Sequence, residues 1–340
     1  MTLSSLRRRS FEDLEAQAQV QTFEVEPGTC VTGRWNGQAD PDAPVLVLQH
    51  GLGGSVDSNY MGGTASLGKA RGFAVLRVNA RNCGGTEALS RTFHHGAQWS
   101  DIARVIEQVD AARPGRNFHL AGFSLGGALS LQLAIQAPGE WPSGLRSVCA
   151  VSPPLDFEAS TSHLERNWLG RLAGIRFTRT LKAMVAERAR HHGVAVDPQA
   201  LANVRTVREF DTLVTAPLGG FDSLEHYYRT GSVAGRMGTL GLPTRLIQAL
   251  DDPLIPATQA IELGTAPPKL LDLHLVPHGG HVAFRARQPA TGAFGLDPSP
   301  WWAEARVVEF AQSIEASLLG DSSLGLASGG VPIADRPRSD

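Results

Sequence analysis

The 340-residue sequence contains only three cysteines, Cys30, Cys83 and Cys149, unevenly spaced and with no CxxC pair. A disulfide framework or zinc ribbon is therefore excluded as the organising device, and reduced thiols in a cytoplasmic protein are expected. No run approaches the ~18 consecutive apolar residues of a membrane-spanning helix. The opening MTLSSLRRRSFEDLEAQAQV has a basic cluster but no apolar stretch behind it, so no secretory signal is expected. With a net charge of -2 and no long basic block, nucleic acid is not expected as the main partner. No internal repeat occurs. The composition that remains, 42% hydrophobic and 19% charged, is that of a soluble globular enzyme with a sizeable core.

The most informative stretch is Asn117 to Ile135, NFHLAGFSLGGALSLQLAI. The apolar run Phe118 to Ala121 enters Gly122-Phe123-Ser124-Leu125-Gly126, and a segment rich in small residues leaves it. That is strand, sharp turn and helix with a serine at the apex. Such a turn strains the apical residue and needs small neighbours, which Gly122, Gly126 and Gly127 supply.

Either side of this turn, strand and helix signals alternate. Thr22 to Val25 and Thr32 to Trp35 read as an antiparallel pair around Pro27-Gly28. Pro44 to Gln49, Phe73 to Val78 and Leu145 to Val151 read as strands covered on both faces. A helix is expected over Ser100 to Ala112, with Ser100 as its cap. Strands resume at Thr244 to Leu250 and Leu271 to Val276, with a helix near Thr258 to Leu263 between them and a last helix over Trp301 to Leu318. This pattern predicts a mainly parallel central sheet with helices on both faces, and a site at the carboxyl ends of its strands. The expected organisation is an N-terminal extension over 1–20, a core over 21–155 and 242–319, a helical cap insertion over 156–241 and a disordered tail over 320–340.

A serine nucleophile needs a base, and the base needs an orienting acid. Two acids, Asp251 and Asp252, follow the strand ending at Leu250, and Asp252 is preferred because the Asp-Pro-Leu-Ile-Pro run leading to Pro256 resembles the loop that follows the triad acid in this kind of fold. The alternative for either acid is capping of the following turn. Two histidines, His278 and His281, follow the next strand, and His281 lies beyond two glycines that let the loop reach over the serine. These two histidines could instead bind a metal, but no further ligands stand at matching spacing. His94-His95 and His191-His192 are expected at the surface or in supporting positions. For the oxygen that becomes negative during acyl transfer, the expected donors are the NH groups of Leu125 and of Leu52, in the loop His50-Gly51-Leu52-Gly53-Gly54. That loop fits neither GxGxxG nor GxxxxGK[ST], so a nucleotide site is not expected. Cys83, a rival nucleophile, lies in a turn on another strand and is read as structural.

The residues together resemble the YheT-like branch of the α/β-hydrolases, bacterial relatives of the animal ABHD lipid hydrolases and the plant embryogenesis-associated hydrolases. His50 to Ser55 resembles the branch's HGLxGS loop, Asn79 to Gly85 its NxRGxxG turn, and Arg91 to Gly96 its RLYHSG segment. Phe210-Asp211, Ala216-Pro217, Tyr227-Tyr228, Asp251-Asp252-Pro253 and His278 to His281 continue the likeness in order, which runs from about Val45 to Phe284. Two departures stand out: Asn82 where a glycine is usual, and Phe93 where a tyrosine is. The resemblance implies an α/β-hydrolase fold and a cofactor-free serine carboxylesterase with Ser124, His281 and Asp252 as its triad, acting on a small-molecule ester, possible lipids included. Acyl transfer to another alcohol, or a non-catalytic ligand-binding role, are the alternatives. The segment His163 to Arg190 interleaves basic with apolar residues. It is read as a solvated helical face, with contact to anionic lipid head groups as the alternative.

Overall fold

The computed structural model describes residues 9–320, apart from 138, 194, 287–290, 293–294 and 297–298. Most of the expected disordered tail thus lies outside the described residues, as do the first eight residues of the expected extension.

Eight strands form one sheet: β1 (Gln19–Glu26), β2 (Thr29–Asn36), β3 (Val45–Gln49), β4 (Ala74–Val78), β5 (Phe118–Phe123), β6 (Leu145–Val151), β7 (Thr244–Ala249) and β8 (Leu271–Val276). Their order is β1-β2-β4-β3-β5-β6-β7-β8. The β1–β2 and β2–β4 pairs are antiparallel and every other pair in this sheet is parallel. Because β3 has β4 on one side and β5 on the other, the chain's winding reverses between β3 and β5. A crevice opens there at the carboxyl ends of the strands.

The central strands read as continuous apolar runs because successive side chains enter two different cores. On β3, Val45 and Val47 pack on one face with Ile102, Val105 and Val109. Leu46 and Leu48 pack on the other with Met61, Val307 and Phe310. The first group covers the face carrying α3 (Trp99–Ala112) and α4 (Leu125–Ala134), and the second the face carrying α2 (Asn59–Ala70) and α12 (Trp302–Leu318). A short α1 (Glu12–Ala16) precedes β1, and α11 (Thr258–Thr265) links β7 to β8.

Between β6 and β7 come α5 (Phe157–Arg166), α6 (Trp168–His192), α7 (Pro198–Asn203), α8 (Val207–Phe210), a π-helical turn Asp211–Thr215, α9 (Ala216–Leu218), α10 (Leu224–Gly231) and a 3-10 turn Ala234–Thr239. Side-chain caps delimit several of them: Asp156 accepts from the NH of Ala159, Asn167 from that of Gly170 and Ser223 from that of His226. Asn167 also ends α5, which splits the expected single helical stretch in two.

Two local readings need correction. Ser100 is not the cap of α3, which starts one residue earlier at Trp99, follows Gln98 and has no side-chain cap hydrogen bond. The helix α2 was not anticipated, because its sequence NYMGGTASLGKA contains three glycines. Those glycines make room for neighbours. A Cβ at Gly62 would come within 2.4 Å of the Phe11 ring, and one at Gly63 within 2.1 Å of the Glu304 carboxylate. Close packing has overridden helix propensity here.

Candidate active site

Ser124 stands at the carboxyl end of β5 with φ 54° and ψ -121°, a left-handed backbone that a serine adopts only when its surroundings impose it. The constraint is steric. A Cβ at Gly122 would meet the carbonyl oxygen of Gly126 at 2.1 Å, and one at Gly126 would meet that of His50 at 2.5 Å. Strand, helix and the neighbouring loop therefore close on each other only through glycine, and the NH of Ser124 is tied to the carbonyl of Val151 at 2.8 Å.

The imidazole of His281 lies 2.8 Å from Ser124 Oγ through Nε2, and 2.9 Å from Asp252 Oδ2 through Nδ1. The Asp252 side chain is fully buried. Its Oδ1 accepts from the NH groups of Leu254 and Ile255 at 2.8 and 3.1 Å, and Gln248 Nε2 donates to Oδ2 at 3.3 Å. With Asp252 as acceptor, Nδ1 of His281 carries the proton and Nε2 is left as an acceptor facing the serine hydroxyl.

Asp251 and His278 form a second pair, at 3.2 Å, but away from the serine. Asp251 Oδ1 accepts from the NH groups of Gly279 and Gly280, both at 2.9 Å, and so fastens the loop that presents His281. Partial burial raises the Asp251 pKa. The two backbone donors and His278 outweigh it, and the carboxyl ends below its usual range. Ser152, which also has positive φ (49°), donates its hydroxyl to the carbonyl of His281 and anchors the same loop from β6. Sequence reading overlooked this serine; its position between a strand end and Pro153-Pro154 was the available signal.

On the other side of Ser124, the loop after β3 is held by His50. Its Nδ1 donates to the carbonyl of Gly51 at 2.7 Å, and its Nε2 accepts from the NH of Ala80 at 3.0 Å. Burial lowers this histidine's pKa to about 4, so it stays neutral and can make both bonds. The NH of Gly51 is engaged by the Tyr60 hydroxyl at 3.1 Å. Leu125 is the first residue of α4, where an NH has no intrahelical acceptor. Leu52 lines the same space as Ser124.

Two compartments meet at the serine. The inner one, about 100 Å³, runs between the strand-end loops and the helical segment, and is walled largely by Phe93, Phe157, Leu181, Met184 and Tyr227. The outer one, about 340 Å³, is bordered by Tyr60, Arg176, Trp301, Arg9 and Glu304. Leu52, Phe177 and Leu254 border both.

His94 and His95 do not lie at the surface as one option had it: both line the inner compartment. Burial lowers His94 to about 3 and His95 to about 4. Asn82, at the position where a glycine is usual, has φ 55°, a conformation asparagine tolerates better than most residues. Its side-chain oxygen accepts from the NH of His94 at 3.2 Å, so the departure preserves the turn. Asp211 was not singled out from its own chemistry. It lies in the wall of the inner compartment, accepts from the Tyr228 hydroxyl at 3.1 Å, and burial raises its pKa to about 6. The insertion of a π-helical turn, invisible to a 3.6-residue period, is why sequence reading could not place it. Among the described residues no group of three or more His, Cys, Asp or Glu side chains is arranged to hold a metal ion.

The alpha/beta hydrolase fold family matches residues 44–285. YheT of Escherichia coli (strain K12), provisionally named an esterase, is 28% identical over 85% of this chain and 83% of its own. The phospholipase ABHD3 of Mus musculus is 28% identical over 71% of this chain and 58% of its own. Among solved structures, the esterase Pf2001 of Pyrococcus furiosus superposes with a TM-score of 0.57 at 14% identity, covering 90% of this chain and 96% of that one. At that identity the likeness concerns the fold alone.

Proposed function

The chain belongs to the alpha/beta hydrolase fold family and matches its YheT-like branch; from that premise we propose that it is a serine hydrolase that cleaves carboxylic esters through an acyl-enzyme. The observation that carries this reading is the unbroken chain Ser124 Oγ, His281 Nε2, His281 Nδ1, Asp252 Oδ2, with spacings of 2.8 and 2.9 Å at its two hydrogen bonds.

Ser124 Oγ attacks the ester carbonyl as His281 Nε2 takes its proton. Asp252 keeps the other ring nitrogen protonated and stabilises the imidazolium that forms. The negative oxygen of the tetrahedral intermediate is received by the NH groups of Leu125, at the helix N-terminus, and Leu52. As the intermediate collapses, the C–O bond to the leaving alcohol breaks and the alcohol takes the proton from His281. Water, deprotonated by the same histidine, then attacks the acyl-enzyme; the bond between the acyl carbon and Ser124 Oγ breaks, His281 returns the proton to Oγ, and the acid is released. We assign the acyl chain to the inner compartment and the alcohol to the outer one, with the helices between β6 and β7 acting as a cap. A cavity of ~150 Å³ admits a benzene ring, so the inner space suits short acyl chains. Esterase and phospholipase relatives support the substrate class.

Ser124→Ala is expected to abolish fluorophosphonate labelling and to lower p-nitrophenyl ester hydrolysis by at least about a thousandfold, with an unchanged melting temperature. Retained hydrolysis would remove Ser124 from the mechanism.

A further inference from the structure

The longest cap helix, α6, has two apolar faces, and only one is used inside the protein. Phe177, Leu181, Met184 and Val185 turn inward, where they line the compartments or join the cluster that seats the cap on the core. Trp168, Leu169, Leu172 and Ile175 turn outward, with exposures of 69%, 39%, 58% and 45%. Their spacing of i, i+1, i+4 and i+7 makes one stripe two turns long. Single exposed apolar residues are ordinary, but a contiguous row marks a contact surface.

Charge narrows the choice of what that surface meets. Between Trp168 and Lys182 the helix has Arg171, Arg176, Arg179 and Lys182 and no acid. At 100° per residue all four cations project within about 80° of Trp168, beside or between the apolar residues. Arg171 donates to the backbone carbonyls of Glu165 and Arg166, and Lys182 to that of Ala202, so their charges remain uncompensated. Among the described residues Arg176 and Arg179 meet no carboxylate. A two-fold contact between copies of this chain would set the same cations against each other. An anionic lipid surface satisfies both features, taking the aliphatic and indole groups into the acyl boundary and the cations among the head groups. Position agrees with this: Arg176 borders the outer compartment that also reaches Ser124, so an ester held in the lipid surface would enter beside the docked face.

We propose that the Trp168–Ile175 face of α6 docks the protein on anionic membranes, where it meets a lipid-borne ester. The substrate part of this inference rests on the ester-hydrolase reading; the docking part does not. No helix described is long and apolar enough to cross a membrane, so the contact is interfacial. The solvated-face reading of this segment is set aside for its first two turns.

The test uses the full chain with Ser124→Ala, so that hydrolysis cannot change the lipid. Co-sedimentation is expected with equimolar phosphatidylglycerol–phosphatidylcholine vesicles, weakening as salt is added, and much less with phosphatidylcholine alone. Adding Trp168→Ala and Leu172→Ala is expected to reduce partitioning by about tenfold or more. Arg171→Gln with Arg179→Gln should reduce the preference for phosphatidylglycerol while leaving binding to phosphatidylcholine unchanged. All four positions are exposed, and thermal melts check that the variants fold. Three results would overturn docking: no sedimentation with anionic vesicles, equal sedimentation of the Trp168/Leu172 variant, or a lipid-free dimer that the same variant dissociates. Loss of fluorophosphonate labelling by the wild type would overturn the hydrolase reading and leave the binding result standing.

Discussion

The strand-end loops and the helical segment proposed as a cap meet at Ser124 but are built differently. On the core side, Ser124, His281, Asp252 and Leu52 each follow a strand of one sheet, and the hydrogen bonds that orient them come mostly from backbone groups of the same loops. On the cap side, Phe157, Leu181, Met184, Asp211 and Tyr228 come from four separate helical pieces and reach the site through packing on one another and on the turn after β4. Sheet register fixes the first set to within a hydrogen bond; the second depends on tertiary contacts spread over some eighty residues. The core loops should therefore govern the chemical step, and the cap what is bound.

The sharpest test within the core compares two adjacent acids. Asp252→Asn leaves the His281 ring without its buried anionic acceptor, and kcat is expected to fall by about 10³–10⁴. Asp251→Asn loosens a loop by weakening two backbone contacts, at a cost of about 1 kcal/mol in stability and less than about tenfold in kcat, because the Ser124–His281–Asp252 contacts remain. Steady-state kinetics with urea titrations separates the two. Equal losses in kcat would mean that loop order, not the buried anion, is what His281 requires.

The same contrast explains how much could be read without coordinates. Every element that ends at the site from the sheet side was legible within a residue or two, because a run such as Val45 to Gln49 followed by His50-Gly51 signals a strand and its turn locally. The choice of Asp252 over Asp251 rested on a resemblance, since both follow β7; burial distinguishes them, 0% against 43% side-chain exposure. The cap could be read as helical but not as a wall. Nothing local tells that Asp211 will face the inner compartment across a π-helical turn, or that His94 and His95 will be covered. The glycines of α2 misled in the opposite direction, because their use lies in Phe11 and Glu304, far away in sequence.

Acidity should divide the two regions. His50 and His94 are buried and His95 is half-buried, mainly on the core side, and they are lowered to about 4, 3 and 4. Below pH ~6.5 the unfolded chain binds protons that these native histidines refuse, so they make stability fall as pH drops from ~6.5 towards ~4. Asp211, in the cap, behaves oppositely. Its native pKa of about 6 lies above the ordinary 3.8, so the native state holds a proton the unfolded chain has lost. That contribution is complete below ~4 and disappears as pH rises through ~6, a change on the order of 3 kcal/mol. Asp211→Asn has no such proton to lose, and its stability relative to wild type should climb between pH ~4 and ~6 and then level. His94→Gln should show the reverse, becoming less acid-sensitive than wild type below ~6.5. Urea unfolding at a series of pH values reads both; parallel curves for Asp211→Asn and wild type would place the titration elsewhere.

Cys83 lies on the seam between the two regions and gives the smallest expected effect. It is 3% exposed and packs with Phe93, Leu181, Met184 and Phe210, where the turn after β4 receives the cap. Burial and the nearby Glu87 carboxylate push its thiol up to about 12. Neutral solution therefore leaves almost no thiolate, whereas the Ser124 hydroxyl lies 2.8 Å from His281 Nε2, the base proposed for it. Cys83→Ala removes one sulfur from the seam, and a small cavity there costs about 1 kcal/mol of stability. Ester hydrolysis should stay within about twofold of wild type, because no hydrogen bond of the Ser124–His281–Asp252 chain passes through the seam. Iodoacetamide should leave Cys83 unmodified in the native protein and alkylate it in urea. Native-state alkylation that also stops hydrolysis would show that the cap lifts from the turn during turnover, and would bring this cysteine from the packing of the cap into its motion.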